Sequence, residues 1–143
     1  MAKMIFVSLP VTDLPRSIVF YQAIGATPDP RFRDDSAAMM SFSDTIHAML
    51  LTHERFAGFT DRAIIDAHSQ AQAGFGLTEE DRHAVDATVA RAIAAGGVGD
   101  PNPIQDHGFM YSRSFADPDG HIWEPVWMDV EAAMAAGAEQ QPA

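Results

Sequence analysis

The chain has 143 residues, no cysteine and a formal net charge of −11, with 47 % hydrophobic residues. That length holds one domain or two small half-domains sharing a core, and the lack of cysteine excludes disulfides and thiolate chemistry, leaving His and carboxylates for any transition metal. Nine scattered Lys and Arg form no basic stripe, which excludes nucleic acid and anionic membrane as expected partners; with no apolar run of membrane-spanning length and no signal-peptide pattern, a cytoplasmic location is expected.

Residues 4–11 are apolar and rich in β-branched side chains and predict a first strand. Thr12-Asp13 reads as a helix start with Pro15 tolerated in the first turn. Leu14, Ile18, Tyr21 and Ile24 then recur at helical spacing until Gly25 supplies the stop. Residues 37–42 and 46–52 predict two more strands, joined by the polar Ser43-Asp44-Thr45 turn. Residues 55–70 read as a polar connector with a helical piece at 61–68. The pattern then begins again. Residues 72–78 predict a strand, weakened by Gly74 and Gly76. A helix follows Thr78-Glu79-Glu80, with Val85, Val89, Ala92 and Ile93 as its apolar stripe and Gly96-Gly97 as its stop. Residues 110–116 and 121–128 predict two further strands. Residues 131–138 predict a short Ala-rich helix, and the last few residues are expected to be loose.

The most informative stretch is Asp117-Pro118-Asp119-Gly120-His121-Ile122-Trp123-Glu124. Asp, Pro and Gly suit the first, second and fourth positions of a tight turn. The strand that follows places Ile122, Glu124, Val126 and Met128 on one face and His121, Trp123, Pro125 and Trp127 on the other. An ionised Glu among Ile, Val and Met is costly unless it meets a metal, a proton, a cation or water. Either this face is partly solvated and Glu124 points to water, or Glu124 serves a site.

The two halves invite superposition. Laying the first helix on the second pairs Phe20 with Val89, Ala23 with Ala92 and Ile24 with Ile93. Two βαβββ-like modules emerge, one near 4–54 and one near 70–128, joined by the connector 55–70. Together they make one domain over 4–129, with an Ala-rich tail at 130–143.

The opening Phe6-Val7-Ser8-Leu9-Pro10-Val11-Thr12-Asp13-Leu14, followed by Ser17 and Phe20-Tyr21, resembles the start of vicinal-oxygen-chelate proteins. Asp117-Pro118-Asp119-Gly120, with Glu124 four residues later, resembles the motif with which that superfamily closes. Met49-Leu50-Leu51-Thr52-His53-Glu54 is similar to its glyoxalase/bleomycin-resistance/extradiol-dioxygenase-like branch. The resemblance implies an α+β fold of two paired βαβββ modules whose curled mixed sheets surround a cavity. It also implies either metal-dependent chemistry on chelated substrate oxygens or metal-free binding of small molecules.

The family's four metal-ligand positions, carried over by the motifs, fall at Phe6, near Leu50, near Gly74 and at Glu124. Only Glu124 can donate to a metal. His47 and His53 lie about 20 Å apart along one strand, too far to share an ion. His107, in the loop Gln105-Asp106-His107-Gly108, is placed to reach a cavity mouth or a dimer partner. The expectation is therefore a cavity binding a small, partly apolar ligand without the standard metal, lined by Phe6, Ser8, Leu50, Thr52, Tyr111 and Arg113. The alternatives are a divalent-metal glyoxalase- or dioxygenase-type enzyme with a rearranged site including Glu124, and metal-free acid–base catalysis by Glu124. A homodimer is expected in each case.

Overall fold

A computed structural model describes residues 2–140 of the chain. The first strand, β1 (Ile5–Val11), leads into α1 (Leu14–Ala23), whose start is fixed by the Asp13 carboxylate accepting the backbone N–H of Arg16 at 3.1 Å. This helix buries Leu14, Ser17, Ile18, Phe20 and Tyr21. Next comes β2 (Thr27–Arg33), a strand that the sequence reading omits. Pro28 and Pro30 lack ladder donors, yet β2 pairs on one side only, and its register shifts between Asp29 and Arg33. An edge strand tolerates both features. β3 (Ala37–Ser41) and β4 (Ile46–Thr52) follow as expected.

The connector differs from expectation. Its helix is α2 (His53–Ala57), capped by the Thr52 hydroxyl accepting the Arg55 N–H at 3.2 Å. Residues 61–68 are irregular and run into one turn at 67–69 rather than forming a helical piece, and Asp66 accepts the backbone N–H of His68 at 3.0 Å. A short polar side chain that bonds its own backbone two residues on favours a turn over a helix.

The second half repeats the plan. β5 (Gly74–Thr78) leads to α3 (Arg82–Ala94), which follows Thr78-Glu79-Glu80 as expected and is capped by Asp81. Val85, Val89 and Ala92 are buried, whereas Ile93 is 51 % exposed and lies outside the stripe assigned to it. The expected strand 110–116 is broken at Arg113-Ser114 into β8 (Met110–Ser112) and β9 (Phe115–Ala116). Two short strands precede them, β6 (Val98–Gly99) and β7 (Gln105–Asp106). β10 (Ile122–Met128) and α4 (Val130–Gln140) complete the chain. Of the tail expected to be loose, residues 141–143 lie outside the described residues.

Sheet pairing makes the repetition explicit. The first sheet runs β1-β4-β3-β2, with β1 parallel to β4 and the other pairs antiparallel. In the second, β5 lies parallel to β10, β10 is antiparallel to both β8 and β9, and these pair with β7 and β6. The second sheet is thus the first with its two outer strands broken into pieces. The modules share one core. Phe20, Tyr21 and Phe42 of the first meet Phe115, Trp123 and Phe75 of the second, with Tyr21–Trp123 ring centroids at 5.9 Å and Phe75–Trp123 at 5.0 Å. Such aromatic pairs contribute about 0.5–1.5 kcal/mol each beyond the area they bury. Among the described residues, no helix is long and apolar enough to cross a membrane.

Candidate functional site

The turn at residues 117–120 lies at the seam between modules, and its side chains bond across that seam, while Asp119 Oδ2 is buried without a hydrogen-bond partner among the described residues. Asp117 Oδ1 accepts the N–H groups of Asp119 and His121, at 3.0 and 2.9 Å, closing the turn. Asp117 Oδ2 accepts the Tyr21 hydroxyl at 2.6 Å, and the Tyr21 oxygen accepts the indole N–H of Trp123 at 3.0 Å. Asp119 Oδ1 accepts both the N–H and the hydroxyl of Thr12, at 2.9 and 2.8 Å. His121 Nε2 lies 2.8 Å from the Pro10 carbonyl, to which it donates. Burial raises the Asp117 pKa above the ordinary carboxylate value and, with the neighbouring Asp117 charge, raises that of Tyr21 well above its own. Gly120, at φ +93°, presses on the connector: a Cβ there would meet the Ala67 and His68 backbone at 2.6 Å.

Each sheet has a helix-covered face and an open one. On the first sheet the covered face carries Leu9 and Leu50, which are register partners and both buried in the core. The open face carries Phe6 and Ser8, partnered by His47 and Met49. Phe6 is 53 % exposed and stacks on the His47 ring at 5.0 Å. Leu50, expected to line the cavity, therefore packs in the core, and Met49 and Leu51 flank it on the open face. A shift of one residue along a strand reverses its face. Thr52 is occupied as the α2 cap.

On the second sheet, Tyr111 is the register partner of Trp127 and so lies on the helix-covered side. Its hydroxyl donates to Asp86 of α3 at 2.6 Å. Arg113 reaches Asp86 at 3.0 Å and is bidentate to Asp100 at 3.0 and 2.7 Å. Both residues thus join the sheet to α3 and its following loop instead of facing a cavity. Glu124 lies on the open face beside Gly76, its partner on β5, and accepts the Asn102 amide at 2.9 Å. Asn102 escaped the sequence reading because its loop carries no periodic signal. His107 stacks on Phe109 in the β7–β8 turn, with ring centroids 6.1 Å apart.

Of the expected ligand-binding residues, Ser8 lines a cavity of about 480 Å³ where the edges of β1 and β5 approach. Pro10, Phe75, His121 and Ile122 form other parts of its wall, and the connector covers it with Ile64 and Ile65, with Ala73 between the connector and β5. Polar groups are few, among them Ser8, Gln70, Gln72 and Arg62. Size and lining suit a small, largely apolar molecule. The apolar run Ala63-Ile64-Ile65 within an otherwise polar connector was the sequence signal for this cover.

The residues at the four metal-ligand positions do not fit a divalent ion. Phe6, Leu50 and Gly74 offer no donor atom in their side chains, and a register shift to Met49, Leu51 or Gly76 supplies no nitrogen or carboxylate. A protein site needs about three such ligands. Among the described residues, no group of three or more His, Asp or Glu side chains could hold a metal ion.

Comparison with known proteins places this geometry. The family model described as Glyoxalase/Bleomycin resistance protein/Dioxygenase superfamily matches residues 3–124. No curated protein matches the chain. Among solved structures, the hypothetical protein SA1046 from S. aureus is similar at 22 % identity and a TM-score of 0.73, covering 89 % of this chain and 94 % of that one. A glyoxalase-related enzyme from Fulvimarina pelagi is similar at 21 % identity and a TM-score of 0.73, covering 89 % and 88 %. The fosfomycin resistance protein FosX from Mesorhizobium loti is similar at 13 % identity and a TM-score of 0.67, covering 94 % and 98 %. At these identities the likeness is one of fold.

Proposed function

The chain belongs to the Glyoxalase/Bleomycin resistance protein/Dioxygenase superfamily, and on that premise we propose that it binds a small, partly apolar molecule in the 480 Å³ cavity at the module seam, without a divalent metal. The observation that carries this reading is the pairing of an apolar-walled cavity with a donor set reduced to Glu124. Ser8 supplies a hydroxyl to orient the ligand, while Phe75 and Ile122 supply apolar contact. Glu124 holds the Asn102 loop through its hydrogen bond. A homodimer accompanies this reading, supported by the exposed apolar side chains of Ile93 and Val98, which are 51 % and 60 % exposed.

Trp123 packs 5.0 Å from Phe75, a wall of the cavity, and so reports on its contents. In Trp127→Phe, where Trp123 is the remaining tryptophan, the neutral fluorophore N-phenyl-1-naphthylamine is expected to quench Trp123 by energy transfer on binding. Ala73→Phe, which fills the cavity from the connector side, is expected to abolish the transfer without changing the far-ultraviolet circular dichroism. Transfer that survives Ala73→Phe in a folded chain contradicts the proposal.

A further inference from the structure

A second cavity, of about 470 Å³, lies on the helix-covered side of the molecule, against Thr88 and Arg91 of α3. It shares no wall residue with the seam cavity. Phe75 lines the seam cavity and Trp123 lines this one, so that packed pair, with ring centroids 5.0 Å apart, separates them. The apolar wall comes from both modules, with Phe42 from the first and Leu77 and Trp123 from the second. Trp123 is buried beneath, whereas Phe42 and Leu77 are half-buried and leave apolar surface facing the opening.

The polar wall is built around Thr88, which is 5 % exposed. Its hydroxyl donates to Glu79 Oε1 at 2.7 Å and accepts from Arg91 Nη2 at 3.2 Å. Glu79 and Arg91 therefore flank one buried hydroxyl, and both line the cavity, yet their charged groups do not come within 4 Å of each other. Arg91 has no carboxylate partner at that distance among the described residues, and Thr88 occupies only one oxygen of Glu79. A donor and an acceptor of opposite charge are thus held apart by a hydroxyl, beside apolar surface. A ligand bearing only a carboxylate would meet repulsion from Glu79, and one bearing only an amine would meet repulsion from Arg91. A molecule that carries both charges on neighbouring atoms answers both walls at once, and the guanidinium presents a planar fork that matches its carboxylate.

We propose that this cavity binds a zwitterionic α-amino acid with an aromatic side chain, its carboxylate on Arg91, its ammonium group on Glu79 and its ring against Phe42 and Leu77. Thr88 is a positioning residue, fixing the two charged groups at the spacing the zwitterion needs. The site is separate from the seam cavity, and its occupancy does not depend on the function proposed there.

Isothermal titration with L-phenylalanine, with phenethylamine, which lacks the carboxylate, and with 3-phenylpropionate, which lacks the ammonium group, tests the proposal. Phenylalanine is expected to bind one per chain, about tenfold or more tightly than either analogue. Arg91→Gln is expected to remove its advantage over phenethylamine. Glu79→Gln, which keeps an oxygen for the Thr88 hydroxyl, is expected to remove its advantage over 3-phenylpropionate. Thermal unfolding of each variant separates lost binding from lost folding, and the three probes on the parent chain test the charge pattern without any substitution. Ala73→Phe, which fills only the seam cavity, is expected to leave phenylalanine affinity unaltered. The proposal is overturned by no binding of phenylalanine, by equal affinity for the three probes, by an advantage that survives both substitutions in folded chains, or by binding that disappears in Ala73→Phe.

Discussion

The Tyr21 hydroxyl donates to Asp117 Oδ2 at 2.6 Å across 96 residues of sequence, and both groups are buried. One partner lies in the helix of the first module and the other in the turn of the second. The indole N–H of Trp123 completes the chain of bonds at the Tyr21 oxygen. The two sequence signatures that carry the family resemblance are thus physical partners: Tyr21 binds Asp117, Thr12 binds Asp119, and the Pro10 carbonyl accepts from His121.

Tyr21→Phe removes one oxygen and leaves two buried groups, the Trp123 N–H and Asp117 Oδ2, without their partner. Its expected cost is about 1–3 kcal/mol. Urea unfolding followed by fluorescence measures it, and a cost near zero contradicts the buried bond.

The pH dependence has a definite sign. Burial is the largest influence on Asp117 and raises its pKa above the ordinary 3.8, against the His121 charge and the Tyr21 bond, which lower it. A carboxyl raised on folding contributes stability that is fully present below the unfolded value and is lost as pH climbs through the folded one. Asp117→Asn does not titrate. The stability advantage of the parent chain over that variant is therefore expected to be largest in acid and to shrink as pH rises above 3.8. Urea titrations of both chains at several pH values check this, and an advantage that grows with pH contradicts it.

Gly120→Ala combines a left-handed φ of +93° with a Cβ aimed at the Ala67 and His68 backbone. The expected outcome is a loss of about 1–3 kcal/mol together with displacement of the connector. Limited proteolysis is expected to cut within residues 61–73 faster than in the parent chain, and the neutral fluorophore to bind less tightly. Unchanged cleavage and binding would show that the turn does not support the cavity cover.

Tyr111→Phe separates the helix-covered face from the cavity. The lost bond joins the sheet to Asp86 on α3, so naphthylamine affinity is expected to stay within about twofold while stability falls by about 1 kcal/mol. A large loss of affinity at unchanged stability would return Tyr111 to the binding site.

The physical basis of what was legible is visible element by element. Alternation revealed β10, and the Asp13 cap with Pro15 revealed α1, because those signals are local. β2 was hidden by two prolines that only its edge position permits. β6 and β7, at two residues each, are too short for any period. Site assignment failed where it needed partners. Placing the second ligand position at Leu50 chose the face that pairs with Leu9 in the core. The side occupied by Tyr111 and Arg113 followed only from the Tyr111–Trp127 register. Glu124 was correctly assigned to its face of the strand, but its partner Asn102 lies 22 residues away in an irregular loop.

Metal content tests the central claim most directly. Elemental analysis by inductively coupled plasma mass spectrometry, on protein purified without added metal or chelator, is expected to find zinc, nickel, manganese and iron all far below one equivalent per chain. One equivalent of any of them, retained through gel filtration and lost in Glu124→Gln, would contradict the claim and make Glu124 a metal ligand.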